Sequence, residues 1–429
     1  MRGEARKGGG GIALLWDESF LWGVMTLRAL EGAGLPFMLL RAGDIRAGAL
    51  EGLSALFVPG GWASHKIRAL GPAGAARIRF FVEQGGAYIG LCGGAGLATS
   101  EGLGLVRVTR RPTGQRVPSF SGRIGLALSD DPLWDGVIDP VFQAWWPSQL
   151  SVGADVSMLA AYGEALPDAF SADLNVGDTI VAGGWEELER AYGINLDPAR
   201  MRGEPAVVRG PCGRGSVLLS LVHFDAPGDA NGTTVLRNLW KLHGGAGGAP
   251  ETHNGAARAL SRPTTSVSRA MEEIRGAVDG LIEVGLRNFL WFRRGPSMLQ
   301  WRRGVRGLEY WTLKVLADEI EARMHGTHQA HGGSPSEDGP AETAPDPASL
   351  EVHLAAVSEV LLPFAAEARL LLLLERQAMA RERLTFEEGG DPRIRAMRER
   401  LFSTSKSHGG LFKAVADRMD GLLYLLLTT

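Results

Sequence analysis

The chain has 429 residues, more than one ordinary domain, so length alone argues for two or more compact units with cores of their own. With 45 basic against 48 acidic side chains, no general field draws it to nucleic acid or an anionic membrane, and neither is expected as a partner. Two cysteines, neither with a Cys or His neighbour at zinc-ligand spacing, exclude a disulfide framework and predict reduced thiols in a cytoplasm, with no metal or cofactor.

The opening MRGEARKGGGG is basic, but the apolar segment after it is short and broken by Asp17 and Glu18, so no secretory signal is expected. Ile12 to Trp16 then reads as a buried strand, Leu21 to Leu30 as a helix ending at Gly32, Phe37 to Leu40 as a second strand and Ala55 to Val58 as a third. Ala73 to Gln84 is predicted as a helix closed by Gly85-Gly86, and Ala87 to Leu91 as a fourth strand running into Cys92. Such alternation predicts a parallel sheet with helices on both faces. Ligands bind such sheets at the carboxyl ends of the strands, where Pro59-Gly60-Gly61 and Cys92 lie.

From about Val106 to Val222 the pattern changes to short strand-like pieces with turns, including the aromatic segment VFQAWWPSQL. Val217 to Leu221 is a last apolar strand, followed at once by His223-Phe-Asp225 and by a closing helix over Thr233 to His243. The first domain is thus expected over 10–245. Glycine-rich 246–262 reads as a linker, and 263–429 as an all-α bundle of four helices over Ser266–Leu290, Met298–Met324, Ser349–Leu384 and Arg393–Leu427. Residues 326–347, poor in bulky side chains, are expected to be disordered, and the leucines at 370–374 to lie inside the bundle. That run is flanked by charges and is far shorter than the roughly 20 apolar residues of a spanning helix, so no membrane insertion is expected.

A strand ending in Gly90-Leu-Cys92-Gly-Gly94 ahead of a helix has the layout of a nucleophile elbow, whose sharp turn exposes the side chain above the sheet and leaves no room for bulk at Gly90 or Gly94. A helix N-terminus beside the sulfur favours the thiolate. A cysteine nucleophile also wants a base, and the base an orienting carboxylate; His223 and Asp225 offer both from a second strand end. Trp145 and Trp146 are placed to wall a pocket at the same sheet edge, with Gly60, Trp62 and Gly94.

The segment LFVPGG at 56–61, the elbow GLCGGA at 90–95 and GRGSVLLSLVHFD at 213–225 together resemble the class I glutamine amidotransferase-like superfamily, most of all its biotin-protein ligase N-terminal-like group. The likeness covers about residues 10–245 and includes Ile78 to Gly86 and Tyr88 to Ala95. It implies a flavodoxin-like three-layer α/β sandwich with a mostly parallel sheet. Cys92 would be the nucleophile, His223 its acid/base partner and Asp225 the orienting group. The N–H groups of Gly61 and Gly93 would form an oxyanion hole, each donor contributing about 3 kcal/mol. The implied reaction is hydrolysis or transfer at an amide-type C–N bond of an unidentified small molecule. Glutaminases of the superfamily carry Cys-Leu-Gly-x-Gln and His-Pro-Glu where this chain has Cys92-Gly-Gly-Ala-Gly and His223-Phe-Asp, and no ligase domain follows. Neither glutaminase nor biotin ligase activity is therefore expected. A second reading makes the α/β half a non-catalytic small-molecule-binding or scaffold module whose helical half contacts a protein partner.

Overall fold

Short runs of β-branched and other apolar residues, cut off by glycine, proline or serine, become fully buried strands in the first part of the chain. The computed structural model describes residues 10–244, 264–295, 298–326, 346–381, 391–404 and 407–428. The chain divides into two compact units, Met1–Asn254 and Gly255–Thr429.

The first unit opens with β1 (Ile12–Leu15), α1 (Phe20–Gly32), β2 (Met38–Leu40), α2 (Ala42–Ala47), β3 (Ala55–Val58), α3 (Ala63–Glu83), β4 (Ala87–Leu91) and α4 (Gly93–Ala98). It continues with β5 (Val108–Arg110), β6 (Phe120–Leu128), β7 (Val141–Trp145), β8 (Leu150–Val152), β9 (Ser157–Ala165), β10 (Phe170–Ser171), β11 (Leu174–Asn175), α5 (Val176–Ala182) and α6 (Trp185–Tyr192). It closes with β12 (Pro205–Cys212), β13 (Gly215–Ser220) and α7 (Ala230–His243). The closing helix starts earlier than its apolar spacing suggests because the Asp229 side chain accepts from the Gly232 N–H and caps it.

The centre of the sheet is parallel, in the order β2-β1-β3-β4-β13. The order reverses between β1 and β3, and right-handed crossovers on either side of such a switch put α1 and α3 on opposite faces. This is a mostly parallel α/β sheet with helices packed on both faces. Beyond β13 the sheet continues antiparallel through β12, β9, β6, β10 and β11, with β7 also on β6. The short pieces of the middle segment are these strands. Helix α3 begins ten residues before its expected start and is interrupted at Gly71 (φ 61°), where Pro72 disfavours a helical predecessor and glycine accepts the left-handed backbone.

The second unit comprises α8 (Thr265–Arg287), a hairpin of β14 (Trp291–Arg293) and β15 (Leu299–Trp301), α9 (Gly307–His325), α10 (Pro347–Arg381), α11 (Pro392–Phe402) and α12 (Gly410–Thr428). Two expected helices are therefore wrong in extent. Residues 298–306 are strand and turn rather than helix, and Arg393–Leu427 breaks where Ser403 and Gly410 adopt positive φ. Tyr310 and Phe364 each meet Phe402 edge to face, and Phe412 packs tilted against Phe364 and Phe402. Buried ion pairs join Arg306 to Glu309 at 2.9 Å, Arg323 to Glu319 at 2.7 Å and Arg398 to Glu375 at 2.7 Å. Leu371 and Leu372 are buried as expected, whereas Leu370 and Leu373 are 40% and 49% exposed. The expected linker, 246–262, lies outside the described residues, as does 327–345 of the expected disordered segment. Among the described residues no helix is long and apolar enough to cross a membrane.

Candidate active site

Strand β4 delivers Cys92 at the carboxyl edge of the sheet in a backbone conformation of φ 49° and ψ −106°, which L-residues seldom adopt. The turn holds because the Cys92 N–H donates to the Ser220 carbonyl at 2.8 Å, the Gly96 N–H to the Cys92 carbonyl at 3.0 Å, and the Tyr88 hydroxyl to the Gly94 carbonyl at 2.7 Å. A methyl group at Gly93 would lie 1.7 Å from the Gly61 carbonyl oxygen, and one at Gly94 only 2.1 Å from that of Val58. Gly94 is thus packed against backbone. The Gly61 and Gly93 loops touch, and neither N–H donates to an acceptor among the described residues. Gly61 (φ 116°) is set by the loop after β1, whose Glu18 carbonyl abuts it. Lys66, fully buried on α3, ties the same loop down by donating to Ser19 Oγ at 2.5 Å and to the Asp17 carbonyl at 3.2 Å.

His223 lies just beyond β13, its N–H held by the Gln143 carbonyl at 2.8 Å. The ring has no exposed surface; its Nδ1–H donates to Asp225 Oδ1 at 2.9 Å. Asp225, equally buried, accepts at Oδ2 from the Thr26 hydroxyl of α1 at 2.5 Å. Trp22 stacks on the imidazole with centroids 4.9 Å apart, and Trp145 meets it edge-on at 4.7 Å. Burial alone would lower the imidazole's pKa, but the charge and hydrogen bond of Asp225, with a further contribution from the nearby Cys92, raise it to about 9. Nε2 has no partner at hydrogen-bond geometry, although the Cys92 sulfur is near enough to act on the ring's charge. The Cys92 thiol itself is 4.0 Å from the Trp145 carbonyl oxygen.

The structure thus brings together Cys92, His223, Asp225, Gly61, Gly93 and Trp145. Trp146 (φ 50°) joins them through Trp22, whose ring centroid is 6.3 Å away, and Trp22 also covers Gly60. Trp62 caps the start of α3, half-buried. Helix α4 has only six residues, so the macrodipole expected to favour the thiolate is small, and the positive charge beside the sulfur comes from His223. Sequence reasoning missed Thr26 and Trp22, which lie inside an ordinary apolar helix pattern and carry no local signal. Among the described residues no cluster of His, Cys, Asp or Glu is arranged to hold a metal ion.

Residues 50–102 match the family described as "Biotin-protein ligase, N terminal". That segment contains the Gly60-Gly61 loop and the cysteine elbow, which carried the resemblance in the sequence; His223 and Asp225 lie beyond it. No curated protein matches the chain. Among solved structures, a protein from Thermoplasma acidophilum described as a component of GMP synthase is similar at 11% identity and a TM-score of 0.36, over 54% of this chain and 93% of that one. A β-galactosidase from Bacillus circulans sp. alkalophilus is similar at 12% identity and a TM-score of 0.34, over 56% of this chain and 32% of that one. The likeness therefore spans about a third of the β-galactosidase.

Proposed function

We propose that the first unit hydrolyses or transfers an amide-type C–N bond, with Cys92 as nucleophile, His223 as acid/base and Asp225 as the group that orients the imidazole. The observation that carries this reading is the sealed imidazole, hydrogen-bonded to Asp225 on one nitrogen and turned by its other nitrogen toward the sulfur on the strained elbow. In this mechanism His223 Nε2 holds the proton taken from the Cys92 thiol while the sulfur bonds to the carbonyl carbon, and the C=O electron pair moves onto oxygen, where the Gly61 and Gly93 N–H groups receive it. Collapse breaks the C–N bond, and the Nε2 proton of His223 goes to the departing nitrogen. A water or other acceptor then attacks the thioester, giving its proton to His223 as the C–S bond breaks and the Cys92 thiolate returns beside the protonated imidazole.

The test is iodoacetamide trapping at pH 7, with Cys212 as internal control. Burial, then the charge of Glu83, pushes the Cys212 thiol up, so it reacts slowly. Cys92 is expected to react at least tenfold faster, with the advantage lost in His223→Ala. Equal rates for both thiols, or amide turnover that survives Cys92→Ala in a substrate screen, would overturn the reading.

A further inference from the structure

The loop from β1 to α1 holds two residues other than glycine at positive φ, Glu18 at 58° and Phe20 at 45°. Backbone of that kind persists only where the surroundings over-determine it, and it gathers at functional sites. Here it brings the Glu18 carbonyl oxygen to 2.5 Å from the point where a Gly61 side chain would begin. It also starts the helix that lays Trp22 over Gly60 and the His223 ring. The clamp on this loop is Lys66. Its Cε lies 3.3 Å from that same point at Gly61, and its Nζ donates to residues on both sides of Glu18, to Ser19 Oγ at 2.5 Å and to the Asp17 carbonyl at 3.2 Å. Ser19 Oγ in turn donates to the Leu15 carbonyl at 3.1 Å, so the bonds run from α3 into the end of β1. Lys66 has no exposed surface. Burying an ammonium costs far more than burying a methionine of similar length, so packing of the stem alone does not account for a lysine here.

We propose that Lys66 is a positioning residue for the oxyanion hole: by clamping Asp17 and Ser19 it holds the Glu18 carbonyl against Gly61, and so fixes the Gly61 N–H where the oxygen of a substrate carbonyl on Cys92 gathers charge. The inference rests on the thiol chemistry proposed above. Gly61, at φ 116°, has no side chain of its own to anchor it. It is gripped instead by two stretches of backbone, Gly93 against its carbonyl and the Glu18 carbonyl on its α-carbon. The elbow fixes the first of these, and Lys66 fixes the second. Stabilisation of an oxyanion needs donors already aimed at the developing charge, and a small misplacement forfeits much of it. Lys66 acts through Gly61 and is itself sealed from solvent.

The experiment compares two reagents for Cys92 in the full-length chain, with mass spectrometry locating the label. With 4-nitrophenyl acetate the sulfur bonds to the carbonyl carbon, charge gathers on the oxygen, and 4-nitrophenolate leaves. With iodoacetamide the sulfur displaces iodide from a methylene carbon, and no oxyanion forms. In Lys66→Met the acetylation rate is expected to fall about tenfold while alkylation changes less than about twofold. That split separates the aim of one donor from a general loosening of the site, which slows both reagents alike. Ser19→Ala, which takes an acceptor away from Lys66 and leaves the lysine in place, is expected to show the same split, and it decides the question if Lys66→Met does not fold. Equal losses with both reagents, no loss with either, or a loss confined to alkylation overturns this inference and leaves the thiol chemistry standing. Failure of 4-nitrophenyl acetate to label Cys92 in the wild type overturns both.

Discussion

At the scale of single residues, the site is governed by one imidazole whose pKa is raised on folding. A group held at about 9 in the native state, against an ordinary 6.5, binds its proton more tightly folded than unfolded, so it stabilises the fold fully below pH 6.5. That contribution disappears as pH rises through about 9. Urea denaturation of wild type and His223→Gln at intervals from pH 6 to 9.5 should show the stability difference shrinking across this window; a constant difference would contradict the assignment. Thr26 supports the same cluster from α1. Thr26→Val leaves a buried carboxylate oxygen short of a donor and should cost about 1.5–3 kcal/mol in urea melts, while Thr26→Ser keeps most of it. Cys92, His223 and Asp225 were legible because each sits at the end of an apolar run, where an α/β sheet exposes side chains. Thr26 and Trp22 were not, because a threonine or tryptophan inside an apolar period reads as core. Thr26 meets Asp225 across 199 positions of sequence.

At the scale of elements, the elbow depends on backbone-to-backbone contact that admits no side chain. Gly93→Ala places a methyl group on the Gly61 carbonyl and should cost about 1–3 kcal/mol or more, with iodoacetamide trapping of Cys92 falling in parallel. Gly96→Ala is the matched control. Its added carbon meets only Ala63 Cβ at 3.6 Å, an ordinary contact, and helix propensity favours the change. Strands β3 and β4 were readable to the residue because turn residues bound each apolar run. Helix α2 was missed since six residues span less than two helical turns, too few for an apolar period to repeat, and β15 since Met298, Trp301 and Val305 recur at spacings of three and four. Much of the antiparallel half of the sheet was visible only as a change of rhythm. Pairing partners in such a sheet are chosen by tertiary contact.

At the scale of the whole molecule, the two units rest on different balances. The first encloses its charge around the site, in Lys66, His223 and Asp225, whereas the second encloses Arg–Glu pairs among its helices. Arg398 donates to Glu375 and to the Gly304 carbonyl, so Arg398→Ala leaves a buried carboxylate uncompensated and should cost about 3–5 kcal/mol in thermal or urea melts. Replacing both partners, Glu375→Leu with Arg398→Met, should recover most of that loss, because it removes the charge together with its counter-charge. The family match ends at 102, whereas His223 arrives only after β13. That spacing has a consequence for synthesis. At roughly 5–20 residues per second, the ribosome releases Cys92 on the order of ten seconds before His223. Throughout that interval the nascent chain carries Cys92 without its imidazole neighbour, and in the mechanism proposed above its thiol chemistry begins only when the last parallel strand closes the sheet.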